Sequence, residues 1–368
     1  MNQINFNLAR VYKIIIIISF FIALMYLAND ILIPIAFAMF FALLLFPVCR
    51  FFEKKLSRIL SIILAFIGVI LILSSIIVFF GSQFYHLFDN VKNFSENIQN
   101  LIDRLISFID SNIFNKEINL DEIVDSQPEK LLGSGDIISK TIVSSSGFIA
   151  SSVLMFVYTF LFLLYRSSFK KFILYHFPPD KKNYAYSMLR NIQKVVQNYF
   201  FGLFIIILIL GTLNGLGLMV IGIDYPFLFG YFAAFLAIIP YIGTFIGGLL
   251  PFLYALINYD NIWLAIFVAL WYILVQALEG NILTPKIVGS KVSLNPLIAL
   301  VAIITGSLIW GVAGMILFIP FMAIVKVVFD NIESMKPYGL LLSSNFGNDE
   351  LPLLKKLRKK IEEKVDKI

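Results

Sequence analysis

The chain has 368 residues, of which 60% are hydrophobic and 14% charged, with a formal net charge of +6. A soluble core cannot absorb that much apolar surface, so the composition excludes an ordinary soluble domain and favours a polytopic membrane protein. The single cysteine, Cys49, excludes an internal disulfide, and the two isolated histidines exclude a histidine-based metal cluster. We therefore predict an all-α membrane fold with no metal and no cofactor.

Apolar runs of about 20 residues span the roughly 30 Å hydrocarbon layer of a bilayer. Six runs reach or approach that length and predict full crossings at 14–27, 31–48, 59–80, 147–165, 199–221 and 262–278. The first run follows Arg10 and Lys13, as in a secretory signal, but no small-residue cleavage site follows it. We therefore expect a retained first helix, and residues 1–82 are predicted to hold the first three transmembrane helices.

Two further apolar segments, 226–257 and 295–325, are interrupted by Gly and Pro, and each is too long for one crossing and short for two. Broken backbone is tolerated at membrane depth only where it is buried in protein or lines a watery cavity. Paired interruptions of this kind point to a substrate path, although close packing is the commoner reason for glycine in a membrane helix. The candidate path or hinge residues are Pro240, Gly243, Gly247, Gly248, Pro251, Gly306, Gly311, Gly314 and Pro320.

Lys and Arg concentrate in two loops, one after the second predicted helix and one after the fourth. Because translocating basic residues is unfavourable, these loops and both termini are predicted to face the cytoplasm. This orientation favours membrane hairpins for both broken segments. The alternative makes each a single kinked crossing, for eight crossings in all, and leaves Lys286 and Lys291 outside.

The hydrophilic insertion at 83–140 holds ten acidic and five basic residues and is predicted to lie outside the cell. Apolar residues recur there in steps of three and four, as in a coiled-coil seam. The seam positions are Phe84, Leu87, Val91, Phe94, Ile98, Leu101, Leu105 and Phe108. Its partner is either the segment 113–124 folding back or a neighbouring subunit. Acidic residues recur every seven positions on the opposite face and indicate a solvated surface or, alternatively, a cation-attracting vestibule.

The predicted transmembrane core continues through 141–330, with an amphipathic helix at 184–196 on the inner leaflet. The tail at 331–368 is predicted to be cytoplasmic and soluble. It is rich in Lys and Arg but has few aromatic residues, so we expect no nucleic-acid partner.

The sequence contains no phosphate-binding loop of the G-x-x-x-x-G-K-[ST] type and no H-E-x-x-H, so no catalytic residue is predicted. Glu279, beside Gln276 and Asn281 and before an expected helix break at Pro285, is the carboxylate best placed to carry a proton or cation. The alternative is an interfacial carboxylate bound to backbone amides or to Lys286. Asn214, inside the fifth predicted crossing, is a weaker candidate, because an Asn in such a helix is more often an interhelical hydrogen-bonding residue than a substrate contact.

Two sequence blocks resemble the autoinducer-2 exporter family of bacterial permeases. The first block is Ile239-Pro-Tyr-Ile-Gly243 with Pro251. The second block comprises Gln276-Ala-Leu-Glu-Gly-Asn281, Pro285-Lys-Ile-Val-Gly289, Leu294-Asn-Pro-Leu297, Trp310-Gly-Val-Ala-Gly-Met315 and Pro320. The resemblance covers nearly the whole chain, and Thr244 departs from it by standing where many relatives have Pro.

The resemblance implies an oligomeric multipass protein of the inner membrane that exports small molecules. Some relatives are linked to efflux of signalling molecules and others to exchange of sodium or lithium for protons. Our preferred hypothesis is an exporter of small organic molecules, such as an autoinducer-2-like signalling molecule or a related metabolite. The alternatives are a Na⁺(Li⁺)/H⁺ antiporter and a membrane scaffold that transports nothing.

Overall fold

The computed structural model describes residues 8–90, 135–240, 242–289 and 294–344. Within these ranges the chain is almost entirely helical, and only an isolated antiparallel bridge joins Leu294 to Ser343. The helices are α1 Leu8–Leu27, α2 Asn29–Phe52, α3 Arg58–Asn90, α4 Gly135–Tyr175, α5 Lys182–Ile221, α6 Pro226–Leu236, α7 Ile242–Asn258, α8 Ile262–Leu278, α9 Pro296–Asn331 and α10 Lys336–Leu342. The predicted all-α fold is confirmed.

Six helical stretches of the described residues are long and apolar enough to cross a membrane. They are Asn29–Phe52, Arg58–Tyr85, Ala150–Tyr175, Pro179–Ile221, Ile262–Gly289 and Pro296–Asn331. The six predicted crossings each lie inside one helix of the structure, and five of them overlap these stretches. The crossing predicted at 14–27 lies in α1, which is not among the six, and the stretch Pro296–Asn331 contains the second broken segment. The chain is therefore a multi-pass helical membrane protein.

Helix α3 continues to Asn90, past the predicted start of the insertion at residue 83. Its last turns pack against α6, with the Phe80 and Phe235 rings 5.9 Å apart and the Phe84 and Phe232 rings 5.5 Å apart. Phe84, the first predicted seam position, thus packs on α6, and Leu87, the second, belongs to the apolar core that includes α6 residues. The rest of the seam, and most of the insertion, lies outside the described residues.

Helix α5 is one continuous helix of 40 residues that includes both the predicted amphipathic stretch at 184–196 and the crossing at 199–221. No Pro interrupts it, so nothing in the backbone forces the two stretches apart. The helix ends at Gly222, whose φ of 91° is the left-handed conformation that commonly terminates helices.

The described residues belong to two compact units. The large unit is formed from 27–166 and 203–284, and the terminal unit from 1–26, 167–202 and 285–368. An apolar core in the large unit brings together α3, the end of α5, and the three short or medium helices α6, α7 and α8. This core positions the cavity described below.

The first broken segment forms a helical hairpin in the large unit. Helices α6 and α7 are separated by residues 237–241, and Gly243 packs against Leu236 while Gly247 packs against Ala233. Because the contacting positions rise along one helix as they fall along the other, the two helices run antiparallel. A Cβ at Gly247 would lie 2.6 Å from the Ala233 Cα, so the close approach requires a residue without a side chain.

The second broken segment, α9, is long and apolar enough for a single crossing. Its backbone, however, departs from helical φ and ψ angles at Trp310 and Gly311. Gly306 and Gly314 are in backbone contact, whereas residues eight apart in a straight helix are separated by about 12 Å. Helix α9 is therefore two arms, 296–309 and 312–331, folded back on each other. That both hairpins lie within the membrane stays a prediction.

The segment after α9 folds back onto it. A short 3₁₀ turn, Glu333–Met335, leads into α10, and the Asn295 N–H donates to the Leu342 carbonyl at 2.8 Å. The beginning of the predicted tail is thereby tied to the base of α9. Residues 345–368, which include the charged run of the tail, lie outside the described residues.

Candidate functional site

A cavity lies within the large unit between the end of α5, the α6–α7 hairpin and α8. Its free interior volume is about 20 Å³, which is room for about one water molecule. Its lining residues are Leu210, Asn214, Ala233, Ala234, Ala237, Thr244, Tyr272, Val275 and Gln276. This size suits a single water molecule or a small ion.

Small residues explain how α5 and α6 pack closely against each other and still leave a cavity beside their contact. Gly211 and Gly215 of α5 accommodate the rings of Tyr231 and Phe227 from α6, in the manner of a G-x-x-x-G packing motif. Next to that contact, α6 presents Ala233 and Ala237 to the cavity. The helices are thus held close together by the glycines, while the alanines are too short to fill the space beside them.

The cavity lining is polar in part but carries no charge. Asn214, Thr244, Tyr272 and Gln276 supply the polar groups, and none of the nine lining residues is Asp, Glu, Lys, Arg or His. The Tyr272 hydroxyl donates to the Phe229 carbonyl at a long 3.5 Å. Such a lining favours neutral solutes, because it offers hydrogen bonds without a charge to offset the desolvation of an ion.

Asn214 is the most deeply buried of these polar side chains. It is 4% exposed, and its Oδ1 has no hydrogen-bond partner within the described residues. A buried acceptor left unpaired costs about 1–3 kcal/mol relative to a paired one. Asn214 thus lines the cavity with its Oδ1 unpaired within the described residues, and a role as an interhelical hydrogen-bonding residue or as a substrate contact stays a prediction.

Gln276 links the cavity to Glu279. Its Nε2 donates to Glu279 Oε2 at 2.9 Å, and the Thr284 hydroxyl donates to Glu279 Oε1 at 3.1 Å. Both carboxylate oxygens of Glu279 thus accept hydrogen bonds from side chains. Asn281 is exposed and donates to the Ala277 carbonyl of its own helix at 2.7 Å, so it does not join this chain of contacts.

The prediction of a helix break at Pro285 is wrong. The chain stays helical but widens into two π turns, Glu279–Leu283 and Pro285–Gly289, and the Thr284 N–H reaches back five residues to the Glu279 carbonyl. Proline lacks the N–H of an α-helical bond and its ring clashes with the carbonyl four residues earlier, which the wider turn relieves. Turns of this kind are frequent at functional sites.

The structure divides the nine predicted path or hinge residues between the two units. Pro240, Gly243, Gly247, Gly248 and Pro251 belong to the α6–α7 hairpin of the large unit. None of these five is among the cavity-lining residues, although a Cβ at Gly248 would lie 3.1 Å from the Tyr272 ring. Their described contacts are those of close packing, and a role in a substrate path stays a prediction.

Gly306, Gly311, Gly314 and Pro320 belong to α9 of the terminal unit. The tip of this hairpin is fixed by Trp310, which is 7% exposed and donates from Nε1 to the Met25 carbonyl at 2.9 Å. Its ring packs edge-on against Phe318, with 5.7 Å between ring centroids. The tip is therefore a packed and hydrogen-bonded corner.

Sequence reasoning missed Thr244, Tyr272 and the alanines of α6 as cavity residues. The G-x-x-x-G spacing of Gly211 and Gly215 was an available signal that α5 packs closely on a neighbour. It did not say which neighbour, so the facing residues stayed hidden. Among the described residues no three His, Cys, Asp or Glu side chains are grouped so as to hold a metal ion.

The sequence profile described as "AI-2E family transporter" matches residues 15–334. The chain belongs to the AI-2E transporter family. This AI-2E chain is 28% identical over 299 residues to "Putative transport protein YueF" of Bacillus subtilis (strain 168), covering 78% of this chain and 80% of that protein. The family resemblance stated from the two sequence blocks is confirmed, and the chain is a membrane transporter by family.

Two further relatives extend the comparison. "Putative transport protein YrrI" of Bacillus subtilis (strain 168) is 26% identical over 328 residues, with 84% of this AI-2E chain and 88% of that protein covered. "AI-2 transport protein TqsA" of Escherichia coli (strain K12) is 21% identical over 327 residues, with 86% and 90% covered. Similarity thus runs along most of the length of each protein, and the substrate in TqsA's name belongs to TqsA alone.

Proposed function

We propose that this AI-2E family member is a secondary transporter that exports small uncharged organic molecules, of the autoinducer-2 type or related metabolites. One observation carries the proposal: the cavity of the large unit has a polar lining without a charged side chain and holds an unpaired acceptor at Asn214. The name of TqsA, an AI-2 transport protein, supports the same class of solute. The absence of a phosphate-binding loop favours a gradient over ATP as the energy source.

The test is solute efflux from liposomes that contain the purified full chain. Vesicles are loaded with labelled autoinducer-2 or with a small neutral metabolite, and the initial rate of loss is compared with that of protein-free vesicles. Wild-type protein should release the neutral solute, and Asn214→Leu should lower the rate about tenfold because it removes the open acceptor. Asn183→Leu is the matched control, since Asn183 is exposed at the beginning of the same helix.

The stability of Asn214→Leu is informative beside its transport rate. Replacing a buried unpaired polar group by an apolar one is often neutral or stabilising, so the thermal unfolding midpoint should hold or rise while transport falls. Loss of transport together with a lower midpoint would instead indicate a structural role for Asn214. Wild-type rates equal to those of empty vesicles for every neutral solute would contradict the proposal.

A second candidate function, Na⁺(Li⁺)/H⁺ antiport, is favoured by the hydrogen bond that joins the cavity residue Gln276 to the Glu279 carboxylate. Liposomes holding a pH-sensitive dye and an imposed proton gradient test it directly. If antiport operates, a pulse of sodium or lithium collapses the gradient and Glu279→Gln abolishes the response. Glu333→Gln provides a matched control at an exposed carboxylate in the 3₁₀ turn after α9.

We also propose that both termini face the cytoplasm and that the insertion at 83–140 lies outside. The support is the concentration of Lys and Arg around the α2–α3 junction, at 50–58, and around the α4–α5 junction, at 166–194. Because Cys49 is the only cysteine, Cys49→Ser gives a cysteine-free background. In that background Ser111→Cys should react with a membrane-impermeant maleimide in intact cells, whereas a cysteine placed after the last residue should react only after lysis.

A further inference from the structure

A compact basic surface lies in the large unit, where α2 turns into α3. The connection at 50–58 holds four cations and a single acid: Arg50, Lys54, Lys55 and Arg58 beside Glu53. It is a tight turn, in which the Lys55 and Leu56 N–H groups both donate to the Phe52 carbonyl at 3.0 Å. The four cations are therefore held within a few residues of one another, and all four are exposed.

Helix α4 brings a fifth cation to this turn. The Arg166 guanidinium forms an ion pair with the Glu53 carboxylate and lies over the Phe46 ring, 4.8 Å from its centroid. Arg58 in turn donates to the Leu164 carbonyl of α4 at 3.1 Å. The turn and α4 are thus joined at two points, and we call the five cations together with Glu53 the basic cluster.

The basic cluster retains most of its positive charge. Five cations and one acid leave a net charge of +4. The Glu53 carboxylate is shared, since its Oε2 pairs with Arg166 and its Oε1 lies 4.0 Å from Arg58 Nε. Arg166 Nη1 has no hydrogen-bond partner within the described residues. One carboxylate cannot neutralise five cations, so the exposed Arg and Lys side chains attract an anion.

The basic cluster lies where the apolar parts of three helices end. The predicted crossings 31–48, 59–80 and 147–165 all border it, and they belong to α2, α3 and α4. Exposed apolar side chains stand directly beside the cations, namely Val48, Phe51, Leu56, Ile59 and Leu60. Basic residues at the end of a membrane helix lie at the level of the lipid head groups, while their apolar neighbours remain among the acyl chains.

We propose that the basic cluster is a binding surface for an anionic phospholipid. The lipid phosphate accepts hydrogen bonds from the exposed Arg and Lys side chains, and the acyl chains of the same lipid pack on the apolar residues around them. A soluble acidic partner would match the charge, but it cannot cover apolar side chains that belong in the lipid layer. This inference goes beyond the proposed function and does not depend on which solute is transported.

The test measures lipid binding by the purified full chain in a neutral detergent, as the rise in its thermal unfolding midpoint with added lipid. Phosphatidylglycerol, which is anionic, should stabilise the protein, and phosphatidylcholine with the same acyl chains should not. Glycerol phosphate offers a phosphate without acyl chains and should leave the midpoint unchanged. Raising the salt concentration to about 1 M should weaken the effect of phosphatidylglycerol, because salt screens exposed charges.

A double lysine variant tests the cluster itself. Lys54→Gln with Lys55→Gln should raise the half-saturating concentration of phosphatidylglycerol about 25-fold, since each cation near an anionic surface contributes about fivefold. Because both side chains are exposed, the midpoint without lipid should not change. The matched control is Lys181→Gln with Lys182→Gln, an exposed lysine pair next to Asp180 in the terminal unit, which should leave lipid binding unchanged.

Glu53→Gln separates lipid recognition from a structural role. Glutamine keeps an oxygen that accepts from Arg166 and removes the competing negative charge, so the half-saturating concentration should fall about fivefold. A lower midpoint without lipid, together with an unchanged half-saturating concentration, would show that the basic cluster only joins helices and would overturn the proposal.

Three further outcomes would also overturn the proposal. Equal stabilisation by phosphatidylglycerol and phosphatidylcholine would show that the charge of the lipid does not matter. Equal losses in the two double lysine variants would show a diffuse effect of net charge. Stabilisation by glycerol phosphate alone would make the basic cluster a site for soluble phosphate compounds.

Discussion

The two Gly- and Pro-broken segments have the same sequence character but different structures. In the α6–α7 hairpin the break occupies residues 237–241, and the small side chains beside it leave the cavity that Asn214 faces. In α9 the break takes two residues, Trp310 and Gly311, and large aromatic rings close the corner. The comparison teaches that a broken helix signals a cavity only where the neighbouring side chains are small, since bulky residues at the break produce a packed corner instead.

The largest expected loss of stability comes from substituting a glycine where the two arms of α9 touch. A Cβ at Gly314 would lie 2.9 Å from the Gly306 Cα, and backbone cannot move aside as a side chain can. Gly314→Ala should therefore destabilise the protein by about 3 kcal/mol or more, seen as a large fall in the thermal unfolding midpoint. The control is Gly248→Ala in the other hairpin, where the nearest atoms, 3.1 Å away, belong to the adjustable Tyr272 ring, and equal losses in the two variants would contradict the distinction.

Substituting Gly311, which has an unusual backbone conformation, should cause an intermediate loss of stability. Its φ of 58° and ψ of −135° form a combination open almost only to glycine, and no atom lies within 4 Å of a Cβ placed there. Gly311→Ala should cost about 2 kcal/mol through backbone strain alone, measured by the same unfolding assay. Gly68→Ala matches it in free space but lies in the regular helix α3, and it should be neutral or slightly stabilising. A neutral Gly311→Ala would show that the corner does not depend on this backbone conformation.

The hydrogen bond from Trp310 to the Met25 carbonyl should give the smallest of the three effects. Trp310→Phe retains the aromatic packing and removes the N–H donor, so the expected loss is about 1 kcal/mol. The exposed Trp263 provides the matched Trp→Phe control in the large unit. A loss as large as that of Gly314→Ala would mean that the indole ring, and not its N–H, holds the corner.

Local chemistry made much of this architecture predictable. Long apolar runs without charges specify membrane helices because the backbone must satisfy its own hydrogen bonds in lipid, and the predicted crossings at 31–48 and 262–278 lie within α2 and α8. Gly and Pro clusters also located the breaks within 226–257 and 295–325. Pro285 was the exception, because a π turn accommodates the proline that was expected to end the helix.

The candidate site was only partly predictable. Three residues stood out because polar side chains in apolar membrane helices are unfavourable unless they pair with another group or take part in function: Asn214, Gln276 and Glu279. Tyr272 did not stand out, since aromatic residues are ordinary in such helices, and only its place in the cavity lining, packed against Gly248, reveals its position.

The sequence by itself determined the class of the protein, its membrane helices and the places where those helices break, because these depend on apolar length and on the backbone limits of Gly and Pro. Only the tertiary structure decided which break borders a cavity, that Asn214 Oδ1 has no hydrogen-bond partner in the described part of the chain, and that Gln276 joins the cavity to Glu279. These features depend on which side chains face each other across separate helices. That pairing is set by the packing of residues far apart in the chain, and no local pattern encodes it.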